Sequence, residues 1–275
     1  MLDDTNSFEK SKFKPSASSS SSICICCWKK RLSGIELVYA GEGAKERIEK
    51  AAGYNDFLIG APGYLVLLSE GAEGSGLNAG YIMEDIVLKL RDLGYGSCWL
   101  TFTDKSRIKE ALGLDTGLDV AAIIAFGLPE QARKRIHLNI FSMSNVSIKD
   151  KRQYFEPKKK ISELVSIDEY GCKDDLDEQI GFYDDILWES LHAAAASPSY
   201  MNRQPYSFLL KDWKLYLLSE ADEVTGPIDR GLNLGIAMLH FSSVAKEYQG
   251  GSEWKLTKEE LPLPAGVTAV AVCEI

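Results

Sequence analysis

The chain predicts an α+β (α/β) fold, with one central sheet covered by helices. Three observations predict it. Stretches with helical spacing alternate with short apolar runs of strand length along most of the sequence. Hydrophobic residues make up 45% of the 275 positions, enough for a real core. The chain also carries a degenerate copy of part of itself. GLNAGYIMEDIVLKLRDLGYGSCW from Gly76 and GLNLGIAMLHFSSVAKEYQGGSEW from Gly231 align without a gap at an offset of 155 residues, and 8 of the 24 paired positions are identical. Average residue usage gives roughly one or two such matches by chance. A period this long is not a solenoid repeat. It reads as a duplicated half-domain, one chain imitating a two-fold dimer. A site is then expected between the halves, where they differ.

The elements follow in order. Residues 1–33 hold the serine run Ser18 to Ser22 and read as an irregular segment, disordered or degenerate. Ile35 to Ala40 alternates like a strand. Ala44 to Ala52 is charged with helical spacing. Tyr64 to Leu68 is a buried-strand run after the turn Ala61-Pro62-Gly63. Asn78 to Leu93 is the clearest helix, stopped by Gly94 and Gly96. Ser106 to Leu112 is a short helix ending at Gly113. Val120 to Phe126 is a strongly apolar strand. Glu130 to Leu164 is basic and irregular, a connection between halves. Tyr183 to Ala196 is helical, and Ser207 to Leu218 reads as a hairpin about Lys211-Asp212. Asn233 to Tyr248 repeats the long helix, and Val267 to Cys273 repeats the apolar strand. The domains expected are 1–33, a first half over 34–130, a basic connection over 131–165, and a second half over 166–275.

Bulk properties narrow the function. A net charge of −9 weighs against electrostatic binding to nucleic acid. The apolar runs are too short to span a bilayer. The N-terminus lacks the basic and apolar regions of a secretory signal, so a cytoplasmic location is expected. Of the six cysteines, three crowd at Cys24, Cys26 and Cys27 with no second pair and no histidine nearby, so no metal site is expected. His137, His192 and His240 are widely spaced and no nucleophile motif accompanies them. His240 lies in an apolar helical pattern and reads as a satisfied core histidine. Lys158 to Lys160 reads as surface.

Three segments carry candidate chemistry. Ser197-Pro198-Ser199-Tyr200-Met201-Asn202-Arg203-Gln204-Pro205-Tyr206 puts several hydrogen-bonding side chains on one loop, fixed by two prolines. Such a loop suits the edge of a planar heterocycle, or merely satisfies its own backbone. The turn Gly94-Tyr95-Gly96-Ser97-Cys98-Trp99 lets backbone N–H groups approach a ligand, or simply ends a helix. Arg133-Lys134-Arg135 follows a buried strand and could grip a phosphate, or stay solvated.

Taken together, these pieces resemble the FMN-dependent nitroreductase family. The loop from Ser197 to Tyr206 resembles that family's (A/S)PSxxNxQPW loop. Ala79 to Leu100, ending LGYGSCWL, resembles its long helix and glycine turn. Ala125-Phe126-Gly127-Leu128-Pro129 with Arg133 and Arg135 resembles its GxP strand end and trailing basic residues. The repeat points to a subgroup with both nitroreductase halves in one polypeptide, and Asn233 stands where that subgroup has aspartate. The resemblance covers residue 34 to the end.

The resemblance implies a nitroreductase-like central mixed sheet flanked by helices, internally duplicated into a monomeric pseudo-dimer. It implies one FMN between the halves. Pro198, Ser199, Asn202 and Gln204 would come from the second half, and Tyr95, Gly96, Ser97, Arg133 and Arg135 from the first. NAD(P)H would deliver hydride, and a small-molecule electron acceptor such as a nitroaromatic or quinone would take it in a second half-reaction. No side-chain acid or base is implied. The chain departs from the pattern at its start. The family's Arg-Ser-x-Arg phosphate segment is missing, and only Pro15-Ser16-Ala17 stands where the first half's own loop should be. A second pseudo-site is therefore expected to be lost. A flavin-binding module without turnover, and a degenerate non-enzymatic remnant, remain the alternative expectations.

Overall fold

The computed structural model describes residues 34–53, 58, 60–129, 157–173, 185–249 and 253–275, with side chains not described at 247–249. It adds the backbone of three strands, Cys24–Cys26 (β1), Ile136–Ser142 (β6) and Asn145–Asp150 (β7). The first part of the chain forms β2 (Ile35–Ala40), α1 (Ala44–Ile48), β3 (Gly63–Ser69), α2 (Ser75–Asp92), β4 (Gly96–Leu100), α3 (Lys105–Leu112) and β5 (Asp119–Gly127). The second part forms α4 (Ile161–Leu164), β8 (Val165–Ile167), α5 (Asp185–Ala196), β9 (Tyr206–Lys211), β10 (Lys214–Glu220), α6 (Pro227–Gln249), β11 (Lys255–Leu256) and β12 (Val267–Glu274).

The fold is mixed α+β with helix-flanked sheets, as predicted, but ten of the described strands make two five-stranded sheets rather than one central sheet, and β6 and β7 pair separately. The first runs β1-β2-β3-β5-β4 and is antiparallel throughout. The second runs β11-β12-β10-β9-β8 and is mixed, because β8 pairs parallel to β9. The reason for the split lies in what covers each face. On β3, Tyr64, Val66 and Leu68 pack with Ile48 of α1 and Ile108 and Leu112 of α3. The alternate residues Leu65 and Leu67 pack with Ala79, Ile82 and Met83 of α2. With both faces covered, β3 is buried along its whole length and reads as a continuous apolar run. On the second sheet, Phe208, Leu210, Leu215 and Leu217 pack with Leu191 of α5 and Ala237, Met238 and Phe241 of α6. The opposite face, with Leu209, Tyr216 and Leu218, is covered by non-helical chain at Leu261 and Leu263. The helices α2 and α6 thus form a layer between the sheets.

That layer is held by the repeated glycines. A Cβ on Gly231 would stand 3.3 Å from the Cα of Gly76, and a Cβ on Gly76 the same distance from Gly231. A Cβ on Gly80 would stand 2.9 Å from the carbonyl carbon of Leu232, and one on Gly235 would stand 2.7 Å from that of Leu77. These are paired positions of the sequence repeat, and the contacts exchange when the partners are swapped. Side chains there would push the helices apart. Nearby, Glu84 of α2 is 2% exposed and accepts from Trp99 Nε1 at 3.1 Å. His240 Nε2 of α6 lies 2.9 Å from its other oxygen, so the core histidine has its partner.

Other boundaries moved for local reasons. The chain turns between β9 and β10 at Asp212-Trp213, one position beyond the predicted centre, with φ of 50° and 59°. That pair of positive φ values matches the twist of a two-residue hairpin. The connection expected to be irregular contains the antiparallel pair β6–β7. Within 1–33, β1 pairs with β2, while Cys27 and the serine run lie outside the described residues.

Candidate functional site

The loop between α5 and β9 is the most fully built of the predicted site segments. After α5 ends, Ser199 starts a single 3-10 turn over Tyr200–Asn202. Three non-glycine residues follow in the left-handed region: Met201, Asn202 and Gln204, with φ of 47°, 56° and 47°. Such conformations hold only where the surroundings over-determine them, and they concentrate at ligand clamps.

Gln204 does much of that work. It is fully buried, and its Nε2 donates to the Ala195 carbonyl at 2.8 Å and to the Tyr206 hydroxyl at 3.4 Å. Its Oε1 accepts from the Lys159 amide at 2.8 Å, and its own amide donates to Ser199 Oγ at 3.1 Å. Every hydrogen-bonding group of the side chain is therefore engaged inside the protein, so Gln204 orders the loop from within. Tyr206 donates to the Ala194 carbonyl at 3.0 Å and lies 2.9 Å from Ser197 Oγ. Burial raises its phenol above the usual range, which keeps it protonated as that donor. Tyr200 N donates to Asn233 Oδ1 on α6 at 3.0 Å, which ties the turn to the layer between the sheets.

Asn202 differs. Its Nδ2 donates to the Pro157 carbonyl at 2.9 Å, but its Oδ1 is buried with no hydrogen-bond partner. An unmet buried acceptor is costly in a native protein.

A cleft of about 430 Å³ opens beside the loop, lined by Met201, Asn202, Arg203 and Pro205 together with Lys159, Glu220 and Asp222. Its charges are loosely paired, Lys159 with Glu220 at 3.7 Å and Arg203 with Asp222 at 3.9 Å. Burial disfavours the Asp222 carboxylate. Hydrogen bonds from Thr225 and Val224, with Arg203 nearby, outweigh that and hold its carboxyl below the usual range. Sequence reasoning missed Lys159, Glu220 and Asp222. Lys158 to Lys160, read as surface, instead runs against the loop: Lys158 Nζ donates to the Ser197 carbonyl and Lys159 Nζ to the Gln204 carbonyl, both at 2.8 Å. Partial burial lowers the Lys158 amine from its usual range. One signal for Glu220 was present, since it closes YLLSE, the echo of VLLSE at Val66 to Glu70.

Pro198, Ser199, Asn202 and Gln204 thus stand together on one loop. Tyr95, Gly96 and Ser97 stand elsewhere. Gly96 and Ser97 are not a turn but the start of β4, at the edge of the first sheet and paired with Gly127 and Phe126. Tyr95 is 37% exposed, with its ring edge-on to Phe126 at 6.0 Å. The loop is anchored through Asn233, close to the Gly76–Gly231 crossing. The turn at Tyr95 follows the far end of α2, whose 16 residues beyond Gly76 span roughly 24 Å. Arg133 and Arg135 lie outside the described residues. Among the described residues, no group of histidine, cysteine or carboxylate side chains could hold a metal, and no helix is long and apolar enough to cross a membrane.

Comparison with known proteins adds the family. The solved structure of a putative nitroreductase from Thermotoga maritima is similar over 79% of this chain and 73% of that one, with a TM-score of 0.50 and 20% identity. At that identity the likeness speaks for the fold. A nitroreductase family protein from Clostridium novyi NT is 25% identical over 35% of this chain and 62% of its own, with a TM-score of 0.31, too limited an overlap to add weight. No curated protein matches the chain. The family model described as putative TM nitroreductase matches residues 24–245, which take in the first sheet, β8 to β10 of the second, α2, most of α6 and the site loop. On that match, the chain belongs to the nitroreductase family.

Proposed function

We propose that the protein is an FMN-dependent oxidoreductase that uses NAD(P)H to reduce nitroaromatic or quinone-like acceptors, in the cytoplasm and as a monomer. The observation that carries the reading is the family match, because the family's members are oxidoreductases. The loop supports it. A flavin ring edge offers an N–H donor, and Asn202 Oδ1 is a buried acceptor without one. The reciprocal glycine contacts of α2 and α6 support the duplicated, pseudo-dimeric reading of the chain.

Bound FMN would supply the redox chemistry, taking hydride from NAD(P)H and passing it to the acceptor in a second half-reaction. The chain's own residues bind and orient. Asn202 accepts from the cofactor edge, Pro198 and Ser199 shape the loop beside it, and Gln204 keeps that loop rigid from below. Arg133 and Arg135 are proposed for the phosphate, whereas Tyr95, Gly96 and Ser97 stand at the far end of α2 and are not brought beside the loop. Preorganised groups of this kind stabilise developing charge without reorganising during the reaction.

The test begins with the visible spectrum of the purified protein and chromatography of any released chromophore. About one FMN per chain, with NAD(P)H oxidation driven by menadione or a nitroaromatic, is the expected result. Flavin without turnover would leave a binding module. No flavin, even after FMN is added, would sink both.

A further inference from the structure

The four residues Pro157–Lys160 reach the site loop at both of its ends. Lys158 Nζ donates to the Ser197 carbonyl at 2.8 Å, where the chain leaves α5. The Pro157 carbonyl accepts from Asn202 Nδ2 at 2.9 Å, in the middle of the loop. The Lys159 amide donates to Gln204 Oε1, and Lys159 Nζ donates to the Gln204 carbonyl, both at 2.8 Å, where the loop enters β9. These partners are 39 or 45 positions away in sequence, so local chain geometry does not produce them.

The segment is itself firmly placed. At its last residue, Lys160 N donates to Glu163 Oε2 at 2.8 Å and starts α4. Ile161 and Leu164 are buried in the same core as α5 and β9. The chain then enters β8, which pairs with Phe208 to Leu210 of β9. One rigid unit therefore carries both the segment and the strand that follows the loop. Between them the loop holds Met201, Asn202 and Gln204 at positive φ, where side-chain-bearing residues rarely stay without outside support.

We propose that Pro157–Lys160 is a positioning strap, whose two lysine side chains and two backbone groups hold the site loop in its ligand-binding form. The strap belongs to the connection between the two halves, so the connection is part of the site's support and not only a tether. The ligand-binding part of this proposal rests on the loop being the cofactor loop. The positioning part does not.

The experiment is hydrogen exchange on the full-length chain, comparing wild type, the double variant Lys158→Met/Lys159→Met, and Lys159→Arg, with FMN affinity measured by fluorescence titration on the same samples. The amides of Asn202, Arg203 and Gln204 are all hydrogen-bonded within the loop, so their exchange reports its order. In the double variant they should exchange at least tenfold faster, while Phe208 to Leu210 and Leu215 to Leu217 exchange as before. FMN should bind at least tenfold more weakly. Lys159→Arg should keep both properties near wild type, because it keeps a cationic donor. Unchanged loop exchange, or an equal rise in β9 and β10, would overturn the strap. Faster loop exchange with unaltered FMN affinity would overturn the ligand-binding part and uphold the positioning part. If wild type binds no FMN, the cofactor reading falls, and loop exchange alone decides whether the strap positions the loop.

Discussion

The repeat brings two tryptophans to matched positions, and their surroundings differ. Trp99 Nε1 donates to Glu84, a carboxylate 2% exposed on α2. Trp254, 155 residues later, packs its ring edge-on against Phe241 at 5.3 Å, and its Nε1 is buried without a partner. The position matching Glu84 is Leu239, which is 5% exposed, so no carboxylate stands at that place. His240 completes the first arrangement from the opposite half, and its own counterpart is Asp85, which pairs with Lys89 on α2. At the paired positions of the sequence repeat, one tryptophan thus sits in a polar junction and the other in apolar packing. The comparison teaches where the asymmetry lies. The glycine crossing is reciprocal, while the chemistry around it is one-sided.

The largest expected effect breaks the frame that the two halves share. Gly235→Leu puts a side chain against the backbone at Leu77 and should cost more than about 4 kcal/mol, read as loss of the cooperative urea transition. A stable Gly235→Leu protein would mean that α2 and α6 do not pack this closely. Next comes the polar junction. Glu84→Ala strands both His240 and Trp99 and should cost about 3 kcal/mol by urea denaturation. The tryptophans then sharpen the contrast. Trp99→Phe removes a satisfied donor and should cost about 1.5 kcal/mol, whereas Trp254→Phe removes an unsatisfied one and should cost less. Equal losses would erase the asymmetry.

The smallest effect concerns the approach to α6. Asp222 accepts from the amides of Val224 and Thr225 at 2.8 and 2.7 Å. Asp222→Ala should cost about 1 kcal/mol at neutral pH. Its folded carboxyl is held below the usual range, so its contribution is present at neutral pH and is lost as pH falls through that depressed value. Variant and wild-type stabilities should therefore converge in acid, and a gap that stays constant across the titration would remove Asp222 as its source.

Much of this comparison was legible before any coordinates. The strand Ile35–Ala40 lies where its alternation put it, and the apolar runs at Tyr64 and Val120 became β3 and β5 with one residue added at each end. These elements are bounded by glycine, proline and sharp changes of polarity, which act locally. The strands β6 and β7 were lost inside a charged stretch, because what makes them strands is each other. The residue types single out the loop and the family resemblance gives Gln204 to the cofactor, while its bonds to Ala195, Tyr206 and Lys159 are made inside the protein.

By itself the sequence determined the alternation of helices and strands, the repeat and the family, and it singled out the loop from Ser197 to Tyr206 as a candidate. Each of these rests on residue types at short spacing or on direct likeness between segments. Tertiary structure alone decided that ten strands divide into two large sheets, that α2 and α6 fill the space between them, and that Lys158 and Lys159 bond to the loop. Those outcomes depend on which buried faces meet and which distant donors find acceptors, and neither is encoded in local spacing.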